Sequence, residues 1–312
     1  MKRRNVMMES RIIQFPSAAL ACEIYGEGKV GLVIEMGLGA VMAEWRRLAQ
    51  RLSKRHTVLL YQRAGYGGSG ISALERTPGN IALELHQLLG HIPHEEKVTL
   101  LGHSQGGLYV WNFAQVYPEL VRALILLDPL SPEDDRFRTE LTDAEFRKSG
   151  VDKTAGLRMN LKLTRWHLGW LVRRMMASAP PFYYDSGFSK EERQEILESL
   201  GKPQTYETAL AEYAAAHDKN ELTELLDREN KLACPVTMVT HDSALSCREI
   251  EQFGGASPEE AMKTEALWQE IMGVYLSCAQ RGELVRAGHS SHYIHLTDPE
   301  LVCRVVEGLD QL

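Results

Sequence analysis

Between a strand-like run, Lys97-Val98-Thr99-Leu100-Leu101, and a helix-like run that starts at Gly107, the chain carries Gly102-His103-Ser104-Gln105-Gly106. A strand that turns this sharply into a helix leaves no room for side chains beside the turn, and glycines flanking Ser104 meet that demand. Such a turn lifts one side chain clear of both elements. Here it lifts a serine hydroxyl, so the pattern reads as a nucleophile elbow. The backbone N–H of Gln105, at the helix start, is then a candidate oxyanion donor.

The surrounding sequence fits a sheet. Arg11 to Tyr25 alternates apolar and polar residues and ends at Gly26-Glu27-Gly28, which predicts an antiparallel hairpin. Short apolar runs follow at Val30–Glu35, Thr57–Tyr61, Val98–Leu101, Ala123–Leu127, Val236–Thr240 and Glu283–Ala287. Each is short and rich in β-branched residues or leucine, as in strands buried on both faces. Helical patterns lie between them at Glu44–Leu52, Pro78–Leu89, Gly107–Tyr117 and Pro299–Leu312. The alternation predicts an α/β fold with a mostly parallel, doubly wound sheet.

Residues 131–230 break the alternation with helix-forming, charged segments and no convincing strand. They are expected to form a helical cap inserted into a core made of residues 1–130 and 231–312. Within the cap, Leu161–Met176 sets Leu163, Trp166, Trp170 and Met175 among basic residues. These side chains could roof a pocket, touch a membrane or pack on the body. Between Ser246 and Arg281, Ser257, Pro258 and Glu260 form an N-cap, first-turn proline and capping box for a long helix.

Composition narrows the class. With 312 residues and 44% hydrophobic content the chain can bury a core without staples. The formal charge of −7 and scattered basic residues exclude the footprint of a nucleic-acid binder. Lys2-Arg3-Arg4 is not followed by the apolar stretch of a signal peptide, and no segment approaches a bilayer-spanning run, so a cytoplasmic address without integral membrane association is expected. Cys22, Cys234, Cys247, Cys278 and Cys303 are odd in number and widely spaced, which reads as reduced thiols.

An oxyanion hole needs a second donor. Val30–Glu35 runs into Met36-Gly37-Leu38-Gly39, where glycines bring backbone N–H groups close to a ligand, and the Leu38 N–H is the candidate. A plain turn into the helix containing Trp45 is the alternative use of those glycines. Further on, Gln62-Arg63-Ala64-Gly65-Tyr66-Gly67-Gly68-Ser69 forms a loop whose Arg63 could tie neighbouring loops together. The base for a serine nucleophile is sought after the last strand, where His289, His292 and His295 recur. Their spacing suggests metal binding only superficially, since no carboxylate or cysteine completes a ligand set.

With Arg63-Ala64-Gly65-Tyr66-Gly67, the glycine-flanked Ser104 and the C-terminal histidines, the chain resembles the α/β-hydrolase superfamily over essentially its whole length. Members of that superfamily often end in a catalytic histidine, two residues, a second histidine, Leu, a polar or acidic residue, and a proline before the last helix. His292-Tyr293-Ile294-His295-Leu296-Thr297-Asp298-Pro299 matches, so the resemblance implies His292 as base, with His289 the runner-up and His295 packing or capping the final helix. His103 resembles the usual residue that supports the elbow. The resemblance also implies an acid. In many members it follows the seventh strand, where Asp242 stands slightly early. In others, including haloalkane dehalogenases, it directly follows the sixth, where Asp128 stands. Asp128 is the expected acid and Asp242 the alternative, against the plainer role of Asp128 as a turn residue before Pro129. Gln62 departs from the Asp of many relatives, which removes a local ion pair.

The expectation is therefore a cofactor-independent serine hydrolase of carboxylesterase or lipase type, using Ser104, His292 and Asp128, with Leu38 and Gln105 as oxyanion donors. The apolar cap suggests a small or medium hydrophobic ester as substrate, with amide, lactone, thioester and carbon–carbon cleavage open to the same groups. A ligand sensor on the same fold is the alternative. Epoxide hydrolysis or dehalogenation through a covalent aspartate is disfavoured by the serine at the elbow.

Overall fold

The structure, a computed structural model, describes residues 8–218, 222, 225 and 229–309. The basic run Lys2-Arg3-Arg4 and the last three residues of the C-terminal helical pattern lie outside them. Eight strands form one sheet: β1 (Met8–Phe15), β2 (Ala18–Tyr25), β3 (Val30–Glu35), β4 (Val58–Tyr61), β5 (His94–His103), β6 (Val121–Leu127), β7 (Val236–Thr240) and β8 (Gly282–Arg286). Their spatial order is β1-β2-β4-β3-β5-β6-β7-β8. The expected hairpin is β1 and β2, paired antiparallel from Met8–Tyr25 to Phe15–Ala18. β2 meets β4 antiparallel, and every later pairing is parallel.

The apolar runs become strands because both faces of the sheet are covered. Alternate residues of one strand enter opposite cores: Leu124 and Leu126 of β6 join one cluster, Ile125 and Leu127 the other. The helices Pro78–Leu89, Gln105–Val116 and Pro258–Ser277 cover the first face through residues such as Leu85, Trp111 and Tyr275. Arg46–Leu52 and Pro299–Leu309 cover the second through Leu48, Leu52, Val302 and Val306. The helical pattern expected over Glu44–Leu52 divides into a 3-10 turn, Met42–Glu44, and a helix, Arg46–Leu52. The N-cap expected at Ser257 forms, with its side chain accepting from the Glu260 N–H and the Glu260 carboxylate accepting from Ser257.

Between β6 and β7 the described residues form helices, among them Thr154–Arg165, Gly169–Met176, Lys190–Leu200 and Pro203–Ala215. The stretch Leu161–Met176 is broken by His167, at φ 61°, rather than running as one helix. Trp166, Trp170 and Met175 are 63%, 55% and 46% exposed, so much of their apolar surface faces solvent.

β3 lies between β4 and β5, so the chain leaves β3 for one side of the sheet and later returns to its other side at β5. The carboxyl ends of two such strands border a crevice, the usual ligand position in open α/β sheets. The loop Met36-Gly37-Leu38 follows β3 and Ser104 follows β5, so both stand at that crevice.

Candidate active site

Ser104 is held at φ 54° and ψ −127°, a conformation that a residue with a Cβ adopts only under constraint. Three backbone hydrogen bonds supply the constraint. Its N–H donates to the Leu127 carbonyl at 3.0 Å, and its carbonyl accepts from Gly107 at 2.9 Å and Leu130 at 2.8 Å. The glycines are required by contact: a Cβ on Gly102 would stand 2.5 Å from the Gly106 carbonyl oxygen, and one on Gly106 would stand 2.4 Å from that of Glu35. The start of the helix Gln105–Val116 is thereby pressed against the end of β3. Gly37 completes the approach, since a Cβ there would lie 3.3 Å from the Ser104 Cβ.

The loop after β3 and the start of that helix therefore converge on Ser104. Among the described residues, neither the Leu38 nor the Gln105 backbone N–H donates to a backbone oxygen. The carbonyls of the same loop are tied down from behind. Arg63, buried, donates to the Gly37 carbonyl at 3.0 Å, to the Met36 carbonyl, and to Glu35 at 2.6 Å. Gln62 accepts from the Met42 N–H at 3.0 Å and donates to the Ala40 carbonyl at 2.8 Å, so its amide braces the same loop.

Arg63 also reaches the helix Pro203–Ala215. Its Nε and second terminal nitrogen lie 3.1 and 2.9 Å from the Glu212 carboxylate, which takes further bonds from Tyr66 at 2.9 Å and Arg76 at 3.2 Å. Arg76 in turn binds Glu84 at 2.8 Å. Burial works against the Arg63 charge, but Glu212 and Glu35 more than compensate and hold the guanidinium firmly protonated. Burial raises Glu35 above the ordinary carboxylate range, with Arg63 opposing. Sequence reading singled out Arg63 as a loop tie. It missed Glu212 and Arg76, which carry no local signature.

Asp128, the residue after β6, is buried at φ 45°, and its Oδ2 lies 2.6 Å from His292 Nδ1. Burial opposes its ionisation, yet the imidazoles of His241 and His292 hold it well below the usual carboxylate range. Asp242 goes elsewhere. Its side chain caps the helix Ser243–Gly254 by accepting from the Leu245 N–H at 2.9 Å. His289 is exposed on the turn after β8. His295 is buried and stacked on Trp45, ring centroids 3.8 Å apart. His103 supports the site from within: its Nε2 lies 2.9 Å from the His292 carbonyl, and its ring centroid lies 4.7 Å from that of His292. Burial pushes His103 down to about 3, so it is a neutral donor to that carbonyl. Among the described residues, no group of three His, Cys, Asp or Glu side chains could hold a metal ion.

Asp128 has a second imidazole partner that sequence reading missed. His241 Nδ1 lies 2.8 Å from Oδ1 and 3.0 Å from Oδ2, and its backbone N–H donates to Oδ1 at 3.1 Å. Its position directly after β7, at the same sheet edge as the other residues, was the available signal.

Known proteins share this fold. A family model described as alpha/beta hydrolase fold matches residues 32–156. The solved structure of ALR0039 from Nostoc sp PCC 7120 superposes with a TM-score of 0.75 at 18% identity, covering 97% of each chain. The chain has the α/β-hydrolase fold. Among curated relatives, "Putative carbamate hydrolase RutD" of Azorhizobium caulinodans is 31% identical over 121 residues, which is 39% of this chain and 45% of that protein. The matches cover 45%, 28% and 53% of the first three such relatives, so the chain spans about half their length or less. The solved structure of the epoxide hydrolase CorEH shares the fold at 16% identity, with a TM-score of 0.69 and coverage of 97% and 98%. Among the described residues, no helix is long and apolar enough to cross a membrane.

Proposed function

We propose that this protein is a serine hydrolase that cleaves an ester-like bond of a small or medium hydrophobic substrate through an acyl-enzyme on Ser104. The observation that carries this reading is the strained, backbone-pinned Ser104 at one sheet edge with the 2.6 Å Asp128–His292 pair. Asp128 engages His292 at Nδ1, which leaves Nε2 to take the Ser104 proton as Oγ attacks the carbonyl carbon. The Leu38 and Gln105 N–H groups then receive the oxyanion, an interaction worth about 3 kcal/mol per donor in other serine hydrolases. Collapse of the intermediate expels the alkoxide, which takes the proton from His292. Water attacks the acyl-enzyme with His292 again as base, releasing the acid and restoring Ser104. The described helices between β6 and β7 serve as the cap, and one of them, Pro203–Ala215, contacts the oxyanion loop indirectly through Arg63 and Glu212.

The relatives named as carbamate and epoxide hydrolases leave the bond type open. A serine at the elbow supports acyl transfer over the alkyl-enzyme route, which needs a carboxylate nucleophile. Hydrolysis of short and medium-chain p-nitrophenyl esters and labelling by a fluorophosphonate test the reading. Ser104→Ala is expected to abolish labelling and lower kcat by at least about a thousandfold. Well-folded parent protein that neither turns over nor labels would refute it and favour ligand sensing.

A further inference from the structure

His241 takes no part in the proton transfers above, yet it is buried between two carboxylates. Its Nδ1 faces both oxygens of Asp128 at 2.8 and 3.0 Å, and its Nε2 faces Glu265 Oε2 at 2.9 Å. Glu265 comes from the helix Pro258–Ser277 and is itself buried, with Gln269 donating to its other oxygen at 2.7 Å. An ionised carboxylate only accepts hydrogen bonds, and a neutral imidazole has one N–H and one lone pair. A neutral His241 would therefore aim a lone pair at a carboxylate oxygen on one side or the other. Only the imidazolium donates at both nitrogens.

We propose that His241 is a resident imidazolium, clamped between Asp128 and Glu265, that positions Asp128 and sets the net negative charge presented to His292. This rests on the reading of Asp128 and His292 given above. Burial works against the His241 charge, but Asp128 and Glu265 outweigh it and hold the ring up at about 10. Burial works against the Glu265 charge too, but His241 outweighs it and holds Glu265 below the usual carboxylate range. Ser246 also bonds Glu265, and Glu251 acts with Glu265 on Cys247 beside the cluster. Trp268 lies against the His241 ring at 4.2 Å, and Cys247, held up as a thiol by burial, stands on the neighbouring helix. On the far side of His292, His103 and His295 are kept neutral by burial.

The consequence is a charge count. Asp128, His241 and Glu265 together present one negative charge beneath His292. His241→Gln leaves two negative charges, so the proton on His292 is held more tightly and the acid limb of log kcat/KM moves to higher pH. Glu265→Gln removes one charge while its amide oxygen can still accept from Nε2, so the acid limb moves to lower pH. The double variant restores one negative charge and returns the limb toward the parent. Shifts of about one pH unit in opposite directions are expected for the single variants.

The pH dependence of ester hydrolysis in these three variants, joined to long-range 1H–15N NMR of the histidine side chains in the parent, tests the proposal. Both His241 nitrogens should be protonated from pH 6 to 9. A neutral tautomer in that range, or single variants whose acid limbs stay put or move the same way, would overturn it. A merely structural His241 would lower stability without the opposed shifts. If His241→Gln fails to fold, the Glu265→Gln shift and the NMR spectrum still decide. If Ser104→Ala keeps the parent's turnover, the reaction reading fails instead, and the NMR arm judges the His241 charge by itself.

Discussion

Glu212 is a severe test of how the helical segment is attached to the core. It is 0% exposed and accepts from Arg63, Arg76 and Tyr66. In Glu212→Gln one acceptor oxygen survives, while the amide NH2 faces guanidinium donors, so charge-assisted bonds to two buried arginines are lost together. Each such bond is worth about 1.5–3 kcal/mol, and breaking a buried pair from one side costs about 3–5 kcal/mol. A loss of about 3–5 kcal/mol is therefore expected, read as a lower urea midpoint at unchanged m. Arg63→Met in the same background should show strong coupling, because it removes the cation that Glu212→Gln strands. Arg63 also binds the Met36 and Gly37 carbonyls, so ester hydrolysis by the folded Glu212→Gln protein should fall as the loop carrying the Leu38 N–H loosens. A stability loss below about 1 kcal/mol, or strictly additive effects of the two substitutions, would refute the reasoning.

Three further outcomes are expected. Ser104→Gly should be more stable than Ser104→Ala by about 1 kcal/mol, because glycine relieves the positive φ and alanine does not; equal thermal midpoints would contradict the strain. Asp128→Asn should cost orders of magnitude in kcat, whereas Asp242→Asn should cost at most about 1 kcal/mol of stability through a weakened cap and leave ester turnover near the parent's, so a larger kinetic loss in Asp242→Asn would reverse the assignment. His241 is held in the folded protein at about 10, above its ordinary 6.5, so its contribution to stability is fully present below about pH 6.5 and disappears as pH rises through about 10. Urea midpoints of the parent should therefore fall more steeply over that range than those of His241→Gln; parallel curves would argue against a charged His241.

Much of the architecture was legible because it depends on short-range patterns. The runs Val30–Glu35, Ala123–Leu127 and Val236–Thr240 are apolar on both faces, and the hairpin from Arg11 to Tyr25 ends at turn glycines. The elbow at Ser104 was legible for the same reason, since the glycines that permit it lie within two or three residues of the serine. The extent of β5 was less so. His94–Lys97 is polar and partly exposed, yet it continues the strand, where Val30 of β3 pairs with His94. The break at His167 was equally hidden, because a positive φ at a histidine leaves no mark in apolar spacing.

What the sequence could not rank is set by contacts across long separations. Asp128 and His292 are 164 residues apart, Asp128 and His241 113 apart, and Arg63 and Glu212 149 apart. No local pattern distinguishes an aspartate that receives two imidazoles from one that caps a turn, and Asp128 and Asp242 both follow strands. What separates them is the sheet order. β6 stands between β5 and β7, so the residue after it lies between Ser104 on one side and His241 on the other, while Asp242 is one residue further along and turns into its own helix. The same order explains why a charged group is tolerated behind the acid. Glu265 enters from the helix that precedes β8, covers the far nitrogen of His241, and satisfies a proton that would otherwise be buried without a partner. The polar groups of this edge thus form one connected set, and substituting any member should be felt at His292 through charge as well as through packing.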